Sequence, residues 1–195
     1  MIALFLDTES TDRDGQICQL AYLIADGDRV TGRNFYFAAD AMSPGAQAVH
    51  GMSLADTHRL SGGKRFADHA EAILSDLARA DIWAGHNIAS DLHMLNIELQ
   101  RLHLSLPQVR TFCSMNAFTP ILKLRRLRGP GSPKPPKLTE LCAHYGVDEA
   151  MISAHCRQWF GADAASHDAR YDACATYLAL LTATKKGDLP WPPHA

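Results

Sequence analysis

The sequence predicts a mixed α/β fold in a single domain, on three observations. Three short apolar segments follow one another between Ile2 and Phe37, separated by glycines and acidic turn residues. A fourth strand-like segment, Asp81 to His86, stands between two stretches with helical spacing. From Lys137 onward only helical patterns are read. Together these give a mixed sheet, with three antiparallel strands and then a βαβ-type crossover, flanked by helices.

The elements follow in order. Ile2-Ala3-Leu4-Phe5-Leu6 is an apolar run that stops at Asp7, the pattern of a buried central strand. Ile17 to Ala25 is the second strand, after the turn-prone Thr11-Asp12-Arg13-Asp14-Gly15, and the aromatic-rich Asn34-Phe35-Tyr36-Phe37 is the third. Gly15 and Gly27 punctuate the gaps as tight turns. Beyond Pro44 the pattern changes: Phe66, Ala70, Ile73, Leu74 and Leu77 space a helix over 66–80. Asp81 to His86 is a short strand with a polar tip. A helix over 91–104 carries Leu92, Leu95, Leu99 and Leu102 on one stripe. Further helices are read over 137–145, closed by Gly146, and over 168–184, after which Pro190 to Pro193 cannot continue one. Residues 186–195 are read as a C-terminal tail. No internal repeat is found.

Composition narrows the class. The chain has 195 residues, 47% hydrophobic and 21% charged, which excludes an intrinsically disordered or collagen-like chain. The apolar runs are too short to span a bilayer, and the N-terminus does not read as a secretory signal. A cytoplasmic location without membrane contact is expected. The net charge of −2 excludes a surface that is polycationic throughout, though not a nucleic-acid enzyme with uneven charge. The five cysteines are scattered and form no Cys-x-x-Cys pair, so they read as small buried hydrophobes.

One segment stands apart. Residues 129–136 form a Pro/Gly-rich loop, and six basic residues with no acidic one lie between Pro120 and Lys137. A solvated surface loop and a phosphate-contacting loop are both open readings.

The chemistry-bearing residues stand at element ends. Asp7 and Glu9 lie two apart where the first strand runs out, so their side chains share a face. Asp91 begins a helix, and Asp172 lies one turn into the last helix, after His167-Asp168. Asp168 reads as a first-turn carboxylate facing the helix dipole. Four converging carboxylates repel one another, and their desolvation is costly. Magnesium or manganese ions, hard cations that leave room for a substrate phosphate, relieve both problems. Two such ions stabilise the attacking and leaving oxygens of phosphodiester cleavage, and a histidine suits removal of a proton from water. His86 is read either as a structural histidine or as a substrate contact. Trp159-Phe160 precedes His167 in a segment expected to border the site, and packing and stacking are both open readings for it.

These residues resemble the DEDD-type 3′-to-5′ exonucleases of the histidine branch, proofreading-subunit-like proteins of the ribonuclease-H-like superfamily. The first motif is Asp7-Thr8-Glu9-Ser10-Thr11, the second His86-Asn87 followed by Asp91, and the third His167 followed by Asp172. Val49-His50-Gly51-Met52 resembles the Val-His-Gly segment near the nucleotide pocket of proofreading subunits. The match runs from Leu4 to about Leu181. Ser90 departs from it, where many relatives place an aromatic residue, as does Asp12, where glycine is common.

The resemblance implies a ribonuclease-H-like fold and two divalent ions, Mg2+ or Mn2+. Asp7 would bridge both ions, with Glu9 and Asp172 on the nucleophile side and Asp91 on the leaving-group side. His167 would be the general base. Thr8, Ser10 and His50 would lie near the 3′-terminal nucleotide, and Asn87 near the scissile phosphate. The implied activity is hydrolysis at single-stranded 3′ ends, of DNA in first place, to 5′-mononucleotides. The implied partners are such an end and a DNA polymerase subunit. Two rival readings stand beside it: an exoribonuclease trimming RNA 3′ ends, and a non-catalytic nucleic-acid-binding module associated with a polymerase.

Overall fold

The computed structural model describes residues 1–125 and 131–191. Arg126, Arg128 and the start of the Pro/Gly-rich loop lie outside the described residues, as does the end of the tail.

Among the described residues the sheet has five strands: β1 (Ile2–Ser10), β2 (Ile17–Asp26), β3 (Arg29–Tyr36), β4 (Ile82–Gly85) and β5 (Arg110–Cys113). Their order is β3-β2-β1-β4-β5. β1 to β3 are antiparallel neighbours, while β4 pairs parallel with β1 and β5 parallel with β4. Three antiparallel strands followed by a parallel crossover are therefore what the chain forms, with β1 at the centre. Gly27 (φ 58°) supplies the left-handed residue of the two-residue turn between β2 and β3.

Side-chain alternation divides the interior into two cores. Ala3, Phe5, Leu23 and Ala84 face one layer of helices, α6 (Leu138–Tyr145), α7 (Glu149–Phe160) and α8 (Ala169–Lys186). Leu4, Leu6, Leu20, Tyr22 and Trp83 face α3 (Ala70–Arg79) and α4 (Ile88–Arg101) on the other side. Two short helices, α1 (Pro44–His50) and α2 (Leu54–Ser61), follow β3, and α5 (Ser114–Leu122) follows β5. Ala169, Ala173, Ala175 and Ala179 are fully buried, and α8 packs across β1 and β2. Small side chains on this face let the helix axis approach the sheet.

Several boundaries differ from expectation. β3 begins at Arg29 rather than Asn34, because an edge strand exposes alternate residues and Arg29, Thr31 and Arg33 are its solvent-facing positions. The helix expected over 66–80 is a 3-10 turn (Phe66–Asp68) and then α3, broken at His69 (φ −120°, ψ −5°). α4 begins at Ile88, three residues before Asp91, because Asn87 takes the left-handed conformation (φ 67°) as its cap. α8 runs to Lys186 and ends at Gly187 (φ 78°). The expected tail is partly packed: the ring of Trp191 lies 5.4 Å from Phe5 and 5.0 Å from Phe112, centre to centre. Trp159-Phe160 packs away from the site, with Trp159 edge-on to Tyr177 at 5.3 Å and the Phe160 ring over Gly32 on β3.

Candidate active site

The site forms where β1 emerges from the sheet beside the N-terminal turn of α8. The alternation that sends Ala3 and Phe5 toward α8 sends Asp7 and Glu9 to the same face. Asp172, one turn into α8, meets them there: one carboxylate oxygen from each of Asp7, Glu9 and Asp172 lies within 4.8 Å of the other two. A register shift between Glu9 and Ser10 ends regular pairing with β2 at this point. Such bulges re-aim side chains at the ends of strands.

Asp91 reaches the site from the opposite face. It lies in the first turn of α4, is 4% exposed, and accepts hydrogen bonds from the Thr8 N–H (2.9 Å) and the Thr8 hydroxyl (2.7 Å) on Oδ1. Thr8, the residue between Asp7 and Glu9, thus points toward α4 and ties the fourth carboxylate to β1. Asp91 stands beside the close trio rather than within it, near enough to raise the pKa of Asp7.

Burial and mutual repulsion dominate the electrostatics. Burial first, and then the charges of Asp91, Asp172 and Glu9, push Asp7 well above the ordinary carboxylate range. Glu9 is pushed up to about 8, by burial and then by Asp172 and Asp168. Asp91 rises to about 7 through burial, against the lowering effect of the Thr8 hydrogen bonds. Asp172 rises to about 6 for the same primary reason, restrained by the charge and backbone of His167. Among the described residues, no lysine or arginine forms an ion pair with any of the four. A set of hard oxygen donors, crowded and lacking cations of its own, fits magnesium or manganese.

His167 is exposed, in a turn closed by the Asp168 N–H to the Ala165 carbonyl (3.0 Å), and is near enough to Asp172 to lower its pKa. Its φ of 64° is left-handed, an uncommon state for a residue with a Cβ. Asp168 is the N-cap of α8, accepting from the Arg170 N–H at 3.0 Å.

The residues expected near substrate are more dispersed. Ser10 donates its hydroxyl to the Asp12 carbonyl (2.9 Å). His50, at the end of α1, accepts the Met52 N–H on Nδ1 (3.1 Å), so Nε2 carries the proton and donates to the Ser10 carbonyl (3.3 Å). Burial, together with the nearby His167 charge, holds His50 below the ordinary imidazole range. Asn87 is exposed at the start of α4. His86 takes the structural reading. Its ring nitrogens meet the Ser114 hydroxyl (2.9 Å) and the Pro136 carbonyl (3.1 Å), anchoring the far end of the Pro-rich segment to the tip of β4. Sequence reasoning missed this anchor, since Pro136 carries no signal beyond its being a proline.

The solved structure of Exonuclease X in complex with 5′ overhanging duplex DNA is similar over 95% of this chain and 93% of that one, with a TM-score of 0.61 and 15% sequence identity. At that identity the likeness establishes the fold alone. No curated protein sequence matches the chain. The family model described as exonuclease (RNase_T) matches residues 4–180, a span that holds every carboxylate of the site. The chain belongs to this exonuclease family, the DEDD group with the ribonuclease-H-like fold.

Proposed function

We propose that the protein is a divalent-metal-dependent 3′-to-5′ exonuclease that hydrolyses single-stranded 3′ ends, of DNA in preference to RNA, to 5′-mononucleotides. The observation that carries this reading is the meeting of Asp7, Glu9 and Asp172 within 4.8 Å, beside a buried Asp91 and with His167 near enough to act on Asp172. The DNA complex of Exonuclease X supports DNA as the substrate class.

Asp7, Glu9, Asp91 and Asp172 are the residues that would hold two magnesium or manganese ions. When bound, the ions supply charge stabilisation for the attacking and leaving oxygens. The protein's own contribution is placement and proton transfer. Thr8 fixes the orientation of Asp91 through two hydrogen bonds to one oxygen. His167, exposed beside Asp172, takes the proton from the attacking water through an imidazole nitrogen. The carboxylate of Asp172 sits close enough to that ring to stabilise the imidazolium that results. His50, Ser10 and Asn87 are candidate contacts for the terminal nucleotide.

The test is degradation of 5′-labelled single-stranded DNA, RNA and duplex DNA with a 3′ mismatch, in magnesium, in manganese and with chelator. The expected result is a ladder shortening one nucleotide at a time from the 3′ end, fastest on single-stranded DNA and absent with chelator. Internal fragments, removal of the label from the 5′ end, or undiminished cleavage by Asp7→Ala would overturn the reading.

A further inference from the structure

We propose that Gln19 is a positioning residue for this site: its buried side-chain amide sets the height of the first turn of α8, and so of Asp172 and the His167 turn, over Asp7 and Glu9. The inference rests on the exonuclease reading above for its kinetic consequence, but not for its structural one.

Gln19 is 1% exposed, the only amide in the apolar run from Ile17 to Ala25, and lies directly opposite Glu9 in the pairing of β1 with β2. It therefore projects from the same face as the metal-binding carboxylates, under α8. Its Nε2 donates to Oδ1 of Asn34 (2.9 Å) and to Oδ1 of Asp168 (2.9 Å), and its Oε1 accepts the Ala169 N–H (3.3 Å). Three elements converge on one amide: β2 carries it, Asn34 comes from β3, and the cap and first residue of α8 complete the set.

Asp168 is the node through which this hold is transmitted. Its N–H closes the His167 turn onto Ala165, and its carbonyl accepts the N–H of Tyr171 (2.8 Å) and of Asp172 (3.1 Å). Its carboxylate is paired with Arg170, through Nε (2.9 Å) and Nη2 (2.6 Å), and its charge still acts on Glu9 across the site. The hydrogen bonds of the Gln19 side chain go to Asn34, Asp168 and Ala169 rather than to the four carboxylates, so it acts through the helix start. A buried amide fully used in this way fixes one geometry, because any shift of α8 leaves donors and acceptors unpaired in the interior. Small displacements at a reacting centre are costly to rate.

The experiment compares Gln19→Leu, Gln19→Glu and the pair Gln19→Glu with Asp168→Asn. It measures kcat and KM on a single-stranded 3′ end, and hydrogen exchange at the Ala169 amide. Gln19→Leu fills the space without the bonds. It is expected to lower kcat about 10–100-fold with KM held within about twofold, and to speed Ala169 exchange about tenfold or more. Gln19→Glu sets a carboxylate against Asp168 and is expected to lose kcat as heavily. The pair puts the carboxylate on the strand and the amide at the cap, reversing the hydrogen bond while conserving charge, and is expected to return kcat to within about threefold of the wild type. The proposal is overturned if Gln19→Leu keeps both its kcat and its slow Ala169 exchange, if KM moves with kcat, or if the pair stays as impaired as Gln19→Glu. Should the wild type degrade no 3′ end, the exonuclease reading falls instead. Ala169 exchange then decides the clamp alone: faster in Gln19→Leu supports it, unchanged overturns it.

Discussion

Thr8 and Asp91, 83 residues apart, are joined twice: the Thr8 N–H and hydroxyl both donate to the same oxygen of Asp91, at 2.9 and 2.7 Å. This is the contact that brings the α4 face of the sheet into a site otherwise built on the α8 face. Both bonds favour the charged carboxylate and oppose the burial that raises its pKa to about 7. Thr8→Val keeps the backbone bond and the side-chain volume but removes the hydroxyl. The acid limb of the rate profile should therefore move to higher pH, with activity near neutrality falling about tenfold and recovering as pH rises. Thr8→Ser, which keeps the hydroxyl, should restore the profile. An unshifted acid limb in Thr8→Val would mean that Asp91 is oriented by something else.

Asp7 is surrounded by like charges, since Asp91, Asp172 and Glu9 each act against its ionisation. Removing its charge should stabilise the metal-free fold while destroying activity. Asp7→Asn is expected to melt a few degrees higher than the wild type in chelator near pH 8, and to lose activity by at least about 10³-fold in magnesium. Thermal melts and a single-turnover assay on the same preparation check both halves. A lower melting temperature in chelator would show that Asp7 serves the fold rather than the ions.

The same repulsion sets the pH dependence of stability. Folded and free of metal, Glu9, Asp91 and Asp172 hold their protons up to about pH 8, 7 and 6. Unfolded, carboxyls release theirs near pH 4. The folded state therefore binds more protons than the unfolded one across that window, so stability falls as pH rises from about 4 to about 8, by an amount on the order of several kcal/mol. Asp40, Asp56 and Glu140 are shifted the opposite way, so the stability they contribute is lost only below the window, as pH falls through their lowered values. Divalent cations favour the ionised carboxylates, and their stabilisation should be largest at the alkaline end. Melts at about pH 5 and pH 8, with chelator and with magnesium, give the readout. Chelated protein that melts higher at pH 8 than at pH 5 would contradict the assignment.

Much of this was legible in the sequence where burial is complete on both sides of a strand or on one stripe of a helix. Leu4, Phe5 and Leu6 announce a central strand, and the alternation of Asp7 with Glu9 announces a shared face. The spacing of His167 and Asp172 places both at one helix start. What stayed hidden had mixed burial or depended on distant partners. β3 hides its first half because Arg29, Thr31 and Arg33 face solvent. β5 is a four-residue edge strand with two exposed positions, too short for a periodic signal. α5 carries Pro120, which argues against a helix from sequence. Gln19 was invisible as a working residue because its partners lie 15 and 149 positions away.

His167 offers the sharpest separation of chemistry from folding. Its φ of 64° costs any residue with an ordinary side chain, whereas asparagine tolerates that conformation. The ring is exposed, so little packing is lost on truncation. His167→Ala and His167→Asn should therefore both lose the proton acceptor, with kcat falling about 10²–10⁴-fold and KM nearly unchanged. Their stabilities should differ: the alanine variant loses about 1 kcal/mol more than the asparagine variant, because only asparagine sits in the left-handed state without strain. Steady-state kinetics with urea melts of both variants separate the two effects. If activity instead tracks stability across the pair, the ring maintains the turn and another group accepts the proton.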